Sequence, residues 1–234
     1  MHEEHKFEPS HTDLDFTKYD KPYEIRRTKI LAGMIPEGND DLALDVGCGP
    51  GYFSKMLVEK GWRSTAIDTS PANIDSAQEY ASSTHLGDAI TVLSGLPEDN
   101  FGLAVAFEII EHMPRTMGED LLQKIRRVIR PDGCLLISTP NRYSLEGVGG
   151  YYWSEKIRRA GKWYAWDRTH VHIYTSPEIL KLLNSSGYSV ETIVGYHYGG
   201  RFPLIGRYDL PLKSSRTFPF NRLGFNIIMK CRVK

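Results

Sequence analysis

Leu42-Ala43-Leu44-Asp45-Val46-Gly47-Cys48-Gly49-Pro50-Gly51-Tyr52-Phe53-Ser54-Lys55-Met56-Leu57 is the stretch on which the reading of this chain turns. Leu42–Val46 has the length and apolar character of a buried parallel strand. Three glycines follow at alternate positions: Gly47, Gly49 and Gly51. Tyr52–Lys60 then has helical spacing, with Phe53, Met56 and Leu57 on one side and Lys55, Glu59 and Lys60 on the other. Strand, glycine turn and helix make a corner that a nucleotide-like ligand can enter. Glycines allow close approach of the ligand, and a helix N-terminus offers free N–H groups.

A dinucleotide corner needs a third glycine where this chain has Tyr52, because that position packs helix against strand. The spacing here is G-x-G-x-G, with Asp45 two residues before Gly47. This pattern resembles the first motif of the class I S-adenosylmethionine (SAM) methyltransferases. The resemblance implies a doubly wound α/β sheet of seven mostly parallel strands with an antiparallel last strand. It also implies SAM contacts at Asp45, Gly47, Gly49, Gly51 and, at the end of the fourth strand, Phe107. In such enzymes an aromatic or arginine from a preceding helix meets the SAM carboxylate, and Arg27 and Tyr23 are the candidates here. They lie in a stretch with helical spacing, Tyr19–Met34, with Pro22 in its first turn.

Outward from the corner, Arg63–Ile67 reads as a second strand ending at Asp68. An acid at that tip, about 20 residues past the glycine turn, is placed to accept hydrogen bonds from ribose hydroxyls. Thr69-Ser70-Pro71 then opens a helix. Ala89–Ser94, AITVLS, reads as the third strand. Gly87-Asp88-Ala89 resembles an adenine-contacting motif that should follow that strand, but on this reading it precedes it. The adenine-facing position therefore falls to Leu96. Leu103–Ile109 is the fourth strand, Thr116–Arg130 an amphipathic helix, and Cys134–Ser138 the fifth strand after a Pro131-Asp132-Gly133 turn. A helix over 177–184, a strand over 188–196 and a last strand over 225–233 complete the pattern.

Glu108-Ile109-Ile110-Glu111-His112 ends the fourth strand, Ser138-Thr139-Pro140-Asn141 ends the fifth, and Thr169-His170 precedes the late helix. In an open α/β sheet, ligands bind at the carboxyl ends of strands, so these stretches converge on one cleft. The set E-x-x-E-H, S-T-x-N, apolar insertion and T-H resembles the ubiquinone-biosynthesis O-methyltransferases. The first two elements and a later His also resemble the small-RNA 3′-terminal 2′-O-methyltransferases. Both resemblances implicate Glu108, Glu111, His112 and His170 in divalent-cation binding near the acceptor hydroxyl. Two carboxylates and two imidazoles suit Mg²⁺, Mn²⁺ or Zn²⁺. Three readings stay open: a metal site, His112 acting alone as general base, and a structural cap formed by Glu111 and His112. His172 is an alternative to His170. Glu111, His112 and His170 are the catalytic candidates.

Composition bounds the rest. Of 234 residues, 41% are hydrophobic and 25% charged, as in an ordinary soluble protein. No apolar run reaches the ~20 residues of a membrane span, and the polar start MHEEHKFEPS does not read as a signal peptide. Cys48, Cys134 and Cys231 read as reduced core thiols, which points to the cytoplasm. Residues 1–18 read as a flexible tail and 19–234 as one domain, with insertions at about 143–169 and 199–221. Net charge is zero, yet residues 1–149 carry −9 and 150–234 carry +9. The basic third and the aromatics Tyr151, Tyr152, Trp153, Trp163, Tyr164 and Trp166 suit an amphiphilic or anionic acceptor. They allow a lid, a peripheral membrane contact, or RNA as partner. A SAM-binding module without catalysis is the remaining alternative.

Overall fold

The computed structural model describes residues 22–144, 147–148, 164–165, 167–196, 200–202, 206–208 and 214–234; for 22–26, 200–202 and 206–208 this is the backbone alone. The tail 1–18, most of the 143–169 insertion and part of the 199–221 insertion lie outside the described residues, including Tyr151, Tyr152, Trp153, Trp163 and Trp166.

The elements follow in the order α1 (Pro22–Met34), β1 (Leu42–Val46), α2 (Tyr52–Glu59), β2 (Arg63–Asp68), α3 (Pro71–Ala77), β3 (Ser83–Leu86), α4 (Ala89–Gly95), β4 (Phe101–Phe107), a 3-10 turn (Ile110–His112), α5 (Arg115–Val128), β5 (Ile129–Pro140), α6 (Ser176–Ser185), β6 (Tyr188–Tyr196), β7 (Gly200–Phe202), β8 (Gly206–Tyr208), β9 (Ser214–Ser215), a second 3-10 turn (Phe220–Arg222) and β10 (Asn226–Val233). The main sheet has the strand order 3-2-1-4-5-10-6-9. Strands β3, β2, β1, β4 and β5 pair in parallel, and β10 inserts antiparallel between β5 and β6. The sheet has eight strands, not seven, because the two-residue β9 pairs on the outer edge of β6.

Alternation along the central strands builds two cores. Leu44, Val46, Ala104, Ala106, Leu135 and Ile137 face α4, α5 and α6, where Leu93, Leu121, Leu122, Ile125 and Leu182 meet them. The intervening Ala43, Leu103, Val105, Leu136 and Ile228 face Leu31 and Met34 of α1 and Phe53 and Leu57 of α2. A strand whose successive side chains point to opposite faces must be apolar on both when helices cover both. That is why β1 and β4 read as continuous apolar runs.

The third strand is the main correction. It is Ser83–Leu86, polar and half exposed at the sheet edge, and Ala89–Gly95 is the helix α4. An edge strand covered on one side needs no apolar run. AITVLS is rich in β-branched residues, but burying Ala89 and Leu93, four apart, on the core outweighs that weak preference. Asp88 caps the helix, its Oδ1 accepting from the Thr91 amide at 3.1 Å. Gly87-Asp88-Ala89 therefore does follow the third strand. Leu96 lies at the far end of α4 from Asp88, beside the end of α5, where its carbonyl accepts from Arg127 Nη2 at 2.8 Å, so it stands apart from the adenine side assigned to it.

Within the glycine corner, φ is +71° at Gly47, +53° at Gly49 and +92° at Gly51. A Cβ on Gly51 would lie 2.8 Å from the Ala77 Cα. Gly51→Ala is therefore expected to cost about 1–2 kcal/mol from left-handed strain alone. Thermal unfolding would report this as a Tm lowered by several degrees. An unchanged Tm would mean that the corner relaxes at no cost.

Candidate active site

The corner presents one face to solvent. A Cβ added at Gly49 would meet nothing within 4 Å, whereas Gly47 and Gly51 are crowded by Ile109 and Ala77. Gly49 is thus the glycine that leaves room for a ligand. Its amide donates to Asp68 Oδ2 at 2.9 Å, and Asp68 Oδ1 accepts from the Ser70 amide at 2.9 Å and from Asn73 Nδ2 at 3.1 Å. Asp68 closes the corner from the tip of β2 while its carboxylate keeps further lone-pair positions for hydroxyls.

Asp45 plays a different part. It is 2% exposed and accepts from Ser54 Oγ of α2 at 2.7 Å, so it latches helix to strand beneath the corner rather than facing a ligand. Burial, assisted by the nearby Asp68 charge, pushes its carboxyl up to about 7. A group raised from 3.8 stabilises the fold fully below about pH 4, and that contribution is lost as pH rises to about 7. The loss is about 4 kcal/mol at 1.36 kcal/mol per unit. Asp45→Asn, which keeps an acceptor for Ser54, should gain on the parent by about 3 kcal/mol between pH 5 and pH 8 in urea unfolding. A pH-independent difference would show that Asp45 is ionised in the folded chain. Phe107 is likewise a core residue, edge-on to Phe53 at 4.6 Å between centroids.

Beyond β4 the chain turns sharply, with Glu108 at φ +55°. Glu108 is held by its neighbours. Its Oε1 accepts from Ser138 Oγ at 2.6 Å, both oxygens accept from Asn226 Nδ2 at 2.8 Å, and Arg27 Nη1 lies 2.9 Å from Oε2. Arg27 therefore serves this half-buried carboxylate, because a charge drawn out of water needs a partner. The side chain of Tyr23 lies outside the described residues.

Glu111 is fully buried. Its Oε2 accepts from Thr139 Oγ1 at 3.0 Å, and its Oε1 has no hydrogen-bond partner. Burial, with the neighbouring Glu108 charge, pushes its carboxyl well above the usual range. Thus Ser138 and Thr139 of S-T-P-N support the two glutamates of E-x-x-E-H, one each. Asn141 ties the same end together. Its Nδ2 donates to the carbonyls of Arg222 and Gly224, and its Oδ1 accepts from the amides of Tyr143 and Ser176.

His170 Nε2 lies 3.9 Å from Glu111 Oε1, and the His112 and His170 rings meet edge to face at 4.8 Å. Ligand atoms of Glu111, His112 and His170 all lie within 4.8 Å of one another. Among the described residues this trio is the group able to hold a metal; Glu108, spent on Arg27 and Asn226, is not in it. His172 packs on Tyr174 instead. Burial, helped by His170, lowers the His112 pKa and keeps the ring neutral. Sequence reading missed the partners Arg27–Glu108, Asn226 and Asp167, because none stands at a motif spacing.

The methyltransferase-domain family matches residues 24–193. A ubiquinone biosynthesis O-methyltransferase of Rickettsia bellii is 30% identical over 186 residues, covering 74% of this chain and 73% of that protein. The mitochondrial ubiquinone biosynthesis O-methyltransferase of Bos taurus is 33% identical over 168 residues, and the match spans 66% of this chain but 43% of that protein. Among solved structures, a SAM-dependent methyltransferase from Thermotoga maritima, described as a possible histamine N-methyltransferase, superposes with a TM-score of 0.65. It shares 16% identity, covers 93% of this chain and 95% of that one, and shows a shared fold.

Proposed function

The chain belongs to the methyltransferase-domain family and is a SAM-dependent methyltransferase; from that premise we propose that it methylates a hydroxyl oxygen of a small or amphiphilic acceptor, a phenol or quinone precursor above all. The observation that carries the reading is the trio Glu111, His112 and His170, with Glu111 and His170 buried and His112 half-buried, beside the carboxyl ends of β4 and β5. The names of the two curated relatives support oxygen as the acceptor atom and a quinone precursor as its carrier. The proposal treats residues 19–234 as one methyltransferase domain, with the 143–169 and 199–221 insertions on the acceptor side.

The corner's residues fit SAM. Gly49 leaves space, Asp68 offers a carboxylate to ribose hydroxyls, and Asp88, capping α4 beside β3, takes the adenine side that Leu96 cannot reach. When bound there, SAM supplies an electrophilic methyl group on its sulfonium. The chain's part is to hold the acceptor oxygen in line and to take its proton, for which neutral His112 has a free ring nitrogen. Transfer from a bound SAM would leave the electron pair of the S–CH₃ bond on sulfur, and His112 takes the proton that the acceptor hydroxyl gives up as its oxygen gains the methyl group.

Mg²⁺, Mn²⁺ or Zn²⁺ also fits, because Glu111 Oε1 is buried without a partner and two imidazoles stand beside it. Glu111, His112 and His170 would hold such an ion, which would lower the pKa of a hydroxyl beside it, His112 then serving as ligand instead of base. Among the described residues no helix is long and apolar enough to cross a membrane. Exposed Phe218 (70%) and Phe220 (48%), flanked by Arg216 and Arg222, support delivery of an amphiphilic acceptor from a headgroup layer.

The test is labelled-methyl transfer over phenols, sugars, lipids and RNA 3′ ends, with and without EDTA. Transfer to a phenolic hydroxyl is expected, cut at least about tenfold by EDTA and restored by Mg²⁺, Mn²⁺ or Zn²⁺. Turnover indifferent to EDTA would leave His112 as sole base. Transfer confined to RNA ends would replace the acceptor.

A further inference from the structure

We infer that Asp167 and Thr169 are positioning residues that hold the His112 imidazole in its Nδ1–H form, leaving the Nε2 lone pair for reaction. The inference rests on the proposed role of His112 at the site of transfer.

The chain of hydrogen bonds permits one arrangement. Asp167 Oδ1 accepts from the Thr169 amide at 2.8 Å and, on the same oxygen, receives the Thr169 hydroxyl at 2.6 Å. An oxygen already accepting from an amide is an acceptor, so the hydroxyl donates to it. A threonine hydroxyl has one proton to give. The same Oγ1 lies 3.0 Å from His112 Nδ1 and meets it with a lone pair. The proton between them therefore belongs to the ring. A neutral imidazole in water favours the opposite, Nε2–H form, so this arrangement is imposed by the protein.

The neighbouring imidazole is set in the same way from the same segment. His170 Nδ1 lies 2.8 Å from the Tyr164 carbonyl, which can only accept, so His170 is also Nδ1–H. Tyr164, Asp167 and Thr169 thus orient both rings against Glu111, which sits on a different element. This gives the T-H pair a physical meaning: Thr169 sets one imidazole and His170 supplies the other. A carboxylate or carbonyl that fixes a histidine tautomer is worth about 10–100-fold in metal affinity or activity where it has been removed.

The experiment uses the full-length chain, ¹⁵N-labelled and stripped with EDTA, and reads the ring nitrogens of His112 by two-bond ¹H–¹⁵N correlation, with His112→Gln for assignment. The parent is expected to show Nδ1–H. Thr169→Val and Asp167→Ala should move His112 towards Nε2–H. Thr169→Ser and Asp167→Asn, which keep a hydroxyl and an acceptor oxygen, should hold it in place. A parent in the Nε2–H form, or Nδ1–H persisting in both folded Thr169→Val and Asp167→Ala, would overturn the inference. Mn²⁺ affinity gives a second reading: about 10–100-fold weaker in Thr169→Val, restored in Thr169→Ser. The tautomer is read without metal or acceptor, so a parent that binds no Mn²⁺ would sink the cation reading alone.

Discussion

Glu111→Gln will lower methyl transfer by about 10²- to 10⁴-fold, the range spanned by removal of a positioned proton-handling group, while S-adenosylhomocysteine binding stays within a few fold of the parent. Glutamine is isosteric and still accepts from Thr139 Oγ1, as Glu111 does at 3.0 Å. What it removes is the unpartnered, ionisable Oε1 beside His170. Stability separates this from a structural role. A fully buried carboxyl with one free oxygen burdens the fold, since an ionised group there lacks full compensation. The variant is therefore expected to unfold at the same or a higher temperature than the parent. Loss of transfer with an unchanged or raised Tm marks a residue kept for chemistry; loss of both would make Glu111 a structural cap.

Asp68→Ala is expected to weaken S-adenosylhomocysteine by about 10²- to 10⁴-fold. Two hydrogen bonds from ribose hydroxyls to a carboxylate are worth about 1.5–3 kcal/mol each, and each 1.4 kcal/mol is tenfold in affinity. The same carboxylate holds the Gly49 amide and the opening of α3 through Ser70 and Asn73. Removing it therefore loosens the corner as well as the ribose site. Asp68→Asn retains one acceptor oxygen and should fall between parent and alanine variant. Equal affinity in Asp68→Ala and the parent would remove Asp68 from the cofactor site.

What could be read from the chain, and what could not, follows from where each residue's partners lie. Leu42–Leu57 was legible because local rules suffice there: an apolar strand, glycines where φ is positive, and a helix with one apolar face. The edge strand Ser83–Leu86 was not, since an edge needs no apolar run, and the helix after it carries strand-like residues. The motif E-x-x-E-H marked the site but could not divide its labour. Glu108 is taken up by Arg27, 81 positions upstream, and by Asn226, 118 positions downstream. Such long-range pairings leave no spacing signal. Glu111 and His112, three and four residues on, meet His170 because Val171 and His172 donate their amides to the Glu111 carbonyl. The aromatics of the 143–169 insertion fall largely outside the described residues.

The corner at Gly47–Gly51 is the feature on which every later assignment depends. A calorimetric titration of S-adenosylhomocysteine into the full-length chain tests it most directly. Saturable binding of one equivalent per chain, lost in Asp68→Ala, is the predicted result; a parent chain that takes up none would contradict the account at its base.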